Sequence, residues 1–181
     1  MTHIQGEGRL QRSNLGIFLT DRFAPNTSLV SLHLEMARVS TKPSLTLKRR
    51  MNAPPAKVYE AWTDAKKISH WFGPENAEVL HATADVRVGG RFRIVFRGPD
   101  GEEHDVGGSY REVVPNEKLV FTWAWRTTPE RESLVTIALR RDGEGTLLTL
   151  MHEQFADEAA RDRHARGWNG TLDKLENHVR A

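Results

Sequence analysis

Residues Asp157 to Val179 read as one long amphipathic helix. Asp157 is placed to cap the first turn, and His164, Trp168, Leu172, Leu175 and Val179 recur at steps of three and four along one face. Glu158, Arg161, Arg163, Arg166, Lys174 and Glu176 occupy the other face, where water is expected. Gly167 and Gly170 interrupt the pattern. An interior glycine costs a helix about 1 kcal/mol against alanine, so close approach of another segment to the backbone is expected at both. A helix with a single apolar stripe must lie on a partner surface, and the chain before it supplies strands.

After a first strand from Ser44 to Met51, Pro54-Pro55 suits a helix start, and Val58, Ala61 and Trp62 repeat at helical spacing. Thr63-Asp64 caps a second short helix carrying Ile68, Trp71 and Phe72, ended by Gly73-Pro74. Six strand-like runs follow, near Ala77–Thr83, Gly90–Arg97, Glu103–Val114, Lys118–Trp125, Ser133–Arg140 and Thr146–His152. Short Gly, Asp, Asn and Pro turns separate them, which favours antiparallel neighbours. Phe92, Ile94 and Phe96 alternate with Arg93 and Arg97, and Leu119, Phe121, Trp123 and Trp125 form a second apolar stripe. A sheet with one wet face and one face covered by a single helix curls to bury its apolar side, and an interior that is not filled becomes a pocket. The expected fold is α+β: a curved antiparallel sheet of about seven strands wrapped around the last helix, with two short helices after the first strand.

Composition excludes several functions. The chain has 181 residues, a net charge of +2 and no cysteine, so a disulfide scaffold, a thiolate-bound zinc and a cysteine nucleophile are ruled out. Mixed charges without a basic stripe argue against nucleic acid as a partner. The longest apolar runs near the start, Ile17-Phe18-Leu19 and Leu29-Val30, are too short for a signal peptide or a membrane span, and a cytoplasmic protein is expected. Residues 1–43 show no sustained period and are expected to be an extension that is loosely ordered or upstream of the native start, with Met36 as that start and residues 44–181 as the domain. His152-Glu153 opens no zinc-protease motif, because Ala156 stands where the second histidine is required. Gly89-Gly90 and Gly107-Gly108 lack the lysine of a phosphate loop and read as sheet bends. No metal or cofactor is expected.

The order of short motifs resembles a known family. Ala53-Pro54-Pro55 with Val58-Tyr59-Glu60-Ala61-Trp62-Thr63, Trp71-Phe72-Gly73-Pro74, Gly89-Gly90-Arg91-Phe92, Gly108-Ser109-Tyr110-Arg111-Glu112-Val113-Val114-Pro115, Leu119-Val120-Phe121-Thr122-Trp123, and His164 with Gly167-Trp168 and Leu172 together resemble the AHSA family, homologues of the activator of Hsp90 ATPase. That family lies in the SRPBCC, or START-like, helix-grip superfamily. The resemblance covers Leu45 to Val179, with Tyr59 standing where tryptophan is common. It implies the helix-grip fold and a cavity between the sheet and the last helix. The superfamily includes carriers, cyclases and hydrolase-like enzymes, and the family name implies chaperone association and a stress response.

The first reading is a binding module for a small hydrophobic molecule. Its candidate ligand-binding residues are Phe92, Ile94, His104, Tyr110, Glu112, Phe121, Trp123, His164, Trp168 and Leu172, an aromatic and aliphatic wall with a few polar groups. The alternatives are a cyclase- or hydrolase-type enzyme with His164 or Glu112 as general base, and a module that docks on a chaperone or another protein. Since no second catalytic group is identified, the enzyme ranks below the binding module. A free sheet edge would allow a homodimer.

Overall fold

A computed structural model describes residues 42–180; the extension expected over 1–43, with its start at Met36, falls on residues outside that range except for Lys42 and Pro43. The elements in chain order are β1 (Leu45–Met51), α1 (Pro55–Thr63), α2 (Ala65–Trp71), β2 (Glu78–Ala84), β3 (Arg91–Arg97), β4 (Glu103–Val114), β5 (Lys118–Trp125), β6 (Ser133–Asp142), β7 (Gly145–Glu153) and α3 (Glu158–Arg180), with one 3-10 turn at Pro129–Arg131. Among the described residues no helix is long and apolar enough to cross a membrane.

The expected helix signals act where the sequence places them. Pro55 sits in the first turn of α1, where a missing N–H costs nothing. Asp64 ends α1 and caps α2, its Oδ1 accepting the Lys66 N–H at 2.7 Å. Gly73, at φ +89°, turns the chain out of α2 in a conformation that favours glycine. Asp157 caps α3, accepting the Ala160 N–H at 2.7 Å.

The seven strands form one antiparallel sheet in the order β1-β7-β6-β5-β4-β3-β2. From β2 to β7 the chain is a meander, so each short turn yields an antiparallel neighbour. β1 lies apart from this run. It occupies the edge beside β7, with Leu45 opposite His152 and Met51 opposite Thr146, and α1 and α2 carry the chain to β2 at the other edge.

Two register slips bend the sheet, one between Val79 and His81 on β2, the other between Tyr110 and Glu112 on β4. Gly108 tightens the bend further. A Cβ there would lie 1.8 Å from the Thr122 carbonyl oxygen, so only glycine lets β4 and β5 approach in this way. The adjacent Ser109 N–H, displaced from the regular ladder, is accepted by Thr122 Oγ1 at 3.0 Å.

The concave face holds the core. Trp168, Leu172, Leu175 and Val179 of α3 are all buried, against Leu119, Ile137, Leu148 and Leu150 of the sheet and Val58, Ile68 and Trp71 of the short helices. The convex face carries ion pairs, among them a two-bond Arg93–Asp105 pair at 2.8 and 3.0 Å. Lys174 departs from the expectation of a solvated charged face. Its Nζ donates to the carbonyls of Phe72, Pro74 and Ala77 at 3.3–3.4 Å, and burial lowers its pKa. It ties the loop after α2 to α3.

Gly108→Ala is expected to destabilise the protein by at least about 1–3 kcal/mol, because backbone rather than a movable side chain would have to yield. Urea unfolding followed by tryptophan fluorescence would measure it, and an unchanged midpoint would contradict this account of the bend.

Candidate functional site

A cavity of about 420 Å³ opens between α3 and the strands β3, β4 and β5. Its volume falls within the roughly 300–1,000 Å³ of small-molecule sites. Most of its surface is aromatic. Phe96 comes from β3, Trp123 and Trp125 from β5, Trp168 from α3, and Phe72 with Gly73 and Pro74 from the loop that Lys174 holds. The rings form one network: Trp123 meets Trp168 at 5.0 Å between centroids in a tilted contact, and Trp125 edge-on at 5.6 Å, the T-shaped geometry that ring quadrupoles favour.

The polar groups on the wall are few. His104 stacks on Phe96 at 5.0 Å. Glu103 and Asp105 reach the mouth already paired, with Arg97 at 3.0 Å and with Arg93 at 2.8 Å; the Arg93 guanidinium holds the Asp105 carboxyl below its ordinary value. Gly167 is on the wall as well. A Cβ at Gly167 would meet nothing within 4 Å, whereas one at Gly170 would stand 3.4 Å from the Glu75 backbone nitrogen. The expected close approach therefore occurs at Gly170, and Gly167 opens space instead.

Two histidines are held neutral behind and beside this wall. His164 Nε2 accepts the Trp125 indole N–H at 3.1 Å, so its own proton lies on Nδ1 and is donated to the Ala160 carbonyl at 2.8 Å. His152, wholly buried on β7, has the opposite tautomer. Its Nδ1 accepts the Trp168 N–H at 3.0 Å, and Nε2–H donates to Ser133 Oγ at 2.8 Å, whose hydroxyl donates to the Trp123 carbonyl at 3.1 Å. Protonation of either ring would break an indole bond and bury a charge. Burial lowers the pKa of both; the His164 ring adds to the effect at His152, and Arg163 adds to it at His164. His164 thus faces the cavity without a free lone pair, so it is not available there as a general base.

The ten candidate residues divide into four groups. His104, Trp123, His164 and Trp168 line the cavity. Phe92, Ile94, Tyr110 and Phe121 do not; with Trp62, Trp71, Ile68, Phe72 and Trp123 they enclose a separate inner chamber of about 20 Å³. Leu172 is core, 0% exposed. Glu112 lies outside, paired with Lys118 at 2.8 Å, because the slip between Tyr110 and Glu112 reverses the alternation that would have turned it inward.

Phe72, Phe96, Trp125 and Arg163 were missed as wall residues. Trp125 and Phe96 continue stripes that the sequence shows plainly, and the signal for them was alternation carried one step further. His152 was missed as a buried polar group, although it alternates with Leu148 and Leu150 on β7. For metals, Asp100, Glu102 and His104 bring one ligand atom each within 4.8 Å of one another at the β3–β4 hairpin, where both carboxylates are exposed.

Two outcomes are expected. Gly167→Ala should raise stability by about 0.5–1 kcal/mol, since a helical glycine with open space gains from a Cβ; a loss in urea unfolding would contradict the open wall. Stability should also fall on acidification. A histidine whose folded pKa is depressed binds its proton preferentially in the unfolded chain, so the loss begins below the ordinary value near 6.5 and continues down to the folded pKa. For His152 this amounts to about 2 kcal/mol by pH 5, read as a shift of the urea midpoint between pH 7 and pH 5. A pH-independent midpoint would contradict it.

Comparison with known proteins places this geometry in a family. No curated protein matches the chain. Among solved structures, a protein of Chromobacterium violaceum is 29% identical with a TM-score of 0.68, covering 76% of this chain and 97% of its own. The AHSA1 protein of Silicibacter pomeroyi is 28% identical with a TM-score of 0.68 over the same shares. CalU16 of Micromonospora echinospora is 26% identical with a TM-score of 0.58, covering 75% of each chain. The model of the family described as "Activator of Hsp90 ATPase homolog 1-like protein" matches residues 52–180, which with the curled seven-stranded sheet and its long last helix establishes that this chain belongs to that family.

Proposed function

We propose that this protein binds a small, largely apolar molecule in the cavity between β3–β5 and the first half of α3. The observation that carries the reading is an aromatic-walled space of about 420 Å³ beside the buried core. Buried aromatic surface facing a cavity contributes nothing to folding there, and a ligand gains by covering it. The fold supports a ligand-binding type of domain, and the wall is mostly aromatic, with the Arg163 guanidinium and His164 among its few polar groups. Catalysis by His164 is disfavoured because Trp125 occupies its lone pair.

The neutral fluorophore N-phenyl-1-naphthylamine should bind saturably at one site and quench the tryptophans of the wall. In Gly167→Leu, whose added side chain enters open space, affinity should fall by about tenfold or more while unfolding stays cooperative. Unsaturable binding, or equal affinity in the variant, would overturn the assignment of the cavity.

A further inference from the structure

Five tryptophans stand in the described domain, and three of their indoles are bonded: Trp71 to the Ala61 carbonyl at 3.0 Å, Trp125 to His164 and Trp168 to His152. The other two, Trp62 and Trp123, are each 5% exposed, and their Nε1–H groups have no acceptor. Folded proteins leave few buried donors in that state, and each instance calls for a cause. Both rings stand on the wall of the same inner chamber of about 20 Å³. A space of that size takes about one oxygen-sized atom.

We propose that this chamber receives the carbonyl oxygen of a neutral ligand whose body fills the outer cavity, and that Trp62 and Trp123 donate to it. The inference rests on the binding reading above and specifies its ligand class: an apolar or aromatic ketone, ester or amide. Three observations lead there. Phe72 and Trp123 belong to the walls of both spaces, so the chamber lies directly behind the wall of the outer cavity, and a group reaching inward has to part these two rings, which stand 6.1 Å apart between centroids. The chamber wall carries no ionised side chain, being Ile68, Ile94, Tyr110 and aromatic rings; a carboxylate placed there would lose its hydration without gaining a counter-charge. A carbonyl offers two lone pairs to two donors and brings no proton of its own. A hydroxyl or water brings protons for which Tyr110 Oη is the one side-chain oxygen on the wall.

The test uses the full chain labelled with ¹⁵N and three probes of similar shape: 2-acetylnaphthalene, 2-isopropenylnaphthalene, in which a methylene replaces the oxygen, and 2-naphthoate. Indole resonances are assigned with Trp62→Phe and Trp123→Phe. The expected result is that the ketone shifts the Trp62 and Trp123 indole signals downfield and binds about tenfold or more tightly than the hydrocarbon. The hydrocarbon should move the signals of the outer wall, Trp123, Trp125 and Trp168, and leave that of Trp62 in place. Naphthoate should bind more weakly than the ketone.

Equal affinities for ketone and hydrocarbon, with the Trp62 signal unmoved by either, would overturn the inference and leave the outer cavity as a site. So would indole signals already at hydrogen-bonded positions in the free protein and insensitive to the ketone, which would assign the chamber to a resident water. Tighter binding of naphthoate would overturn the neutral class. If no probe binds and the signals of Trp125 and Trp168 stay in place, the binding reading itself fails, and this one with it. Should the variants not fold, the wild-type comparison of ketone against hydrocarbon decides.

Discussion

Two indole-to-imidazole hydrogen bonds fix α3 against the sheet, and the dimensions of everything between helix and sheet follow from them. Trp168 on α3 donates to His152 on β7, and Trp125 on β5 donates to His164 on α3. Each crosses from one layer to the other, in opposite directions. Apolar packing alone would let the helix slide or roll at little cost, since burial has no direction. Buried donors and acceptors have direction, and in a medium of low polarity a misplaced one is expensive. The two bonds therefore set both the height and the rotation of α3, while the opposite tautomers of the two imidazoles follow from which ring nitrogen each indole reaches.

The wall of the cavity is a by-product of that clamp. Trp125 and Trp168 are pulled toward their histidines, and the space their rings leave is widened at Gly167, where no side chain projects. At the opposite lip, a single ammonium gathers three carbonyls of the Phe72–Ala77 loop. That loop has no regular ladder of its own, so Lys174 supplies the donors its backbone lacks. Mostly aromatic walls and neutral histidines favour an occupant that is largely apolar, with Arg163 the cation on the wall.

Much of the architecture was legible because it depends on local patterns. Alternation in Phe92–Phe96 and Leu119–Trp125, turn residues between strands, and the three–four spacing from Trp168 to Val179 each predict an element, and their order admits few topologies. What the pattern could not carry was register. One slip beside Tyr110 sends Glu112 to the surface, and no residue type announces it. The division between outer cavity and inner chamber depends likewise on which rings of a continuous aromatic stripe stand a few ångströms deeper. Phe92, Ile94, Tyr110 and Phe121 share a face with Trp123, and only curvature separates their surroundings. Lys174 misleads for a further reason: its long apolar stem lets a residue on the polar side of a helix bring its charge to the part-buried carbonyls of a neighbouring loop.

The route of the chain sets a condition on how the domain comes into being. β1 is made first, yet its hydrogen-bonding partner is β7, about a hundred residues later. Contacts that close so large a loop form slowly, because the entropy of closure is lost before the pairing compensates for it. During synthesis β1 and the two short helices leave the ribosome with apolar faces and nothing to cover them, and the meander from β2 to β7 completes before the first strand finds its edge. The nascent domain thus passes through a state in which the edge of β7 and the strand that belongs there are both open, a state vulnerable to pairing with the wrong chain.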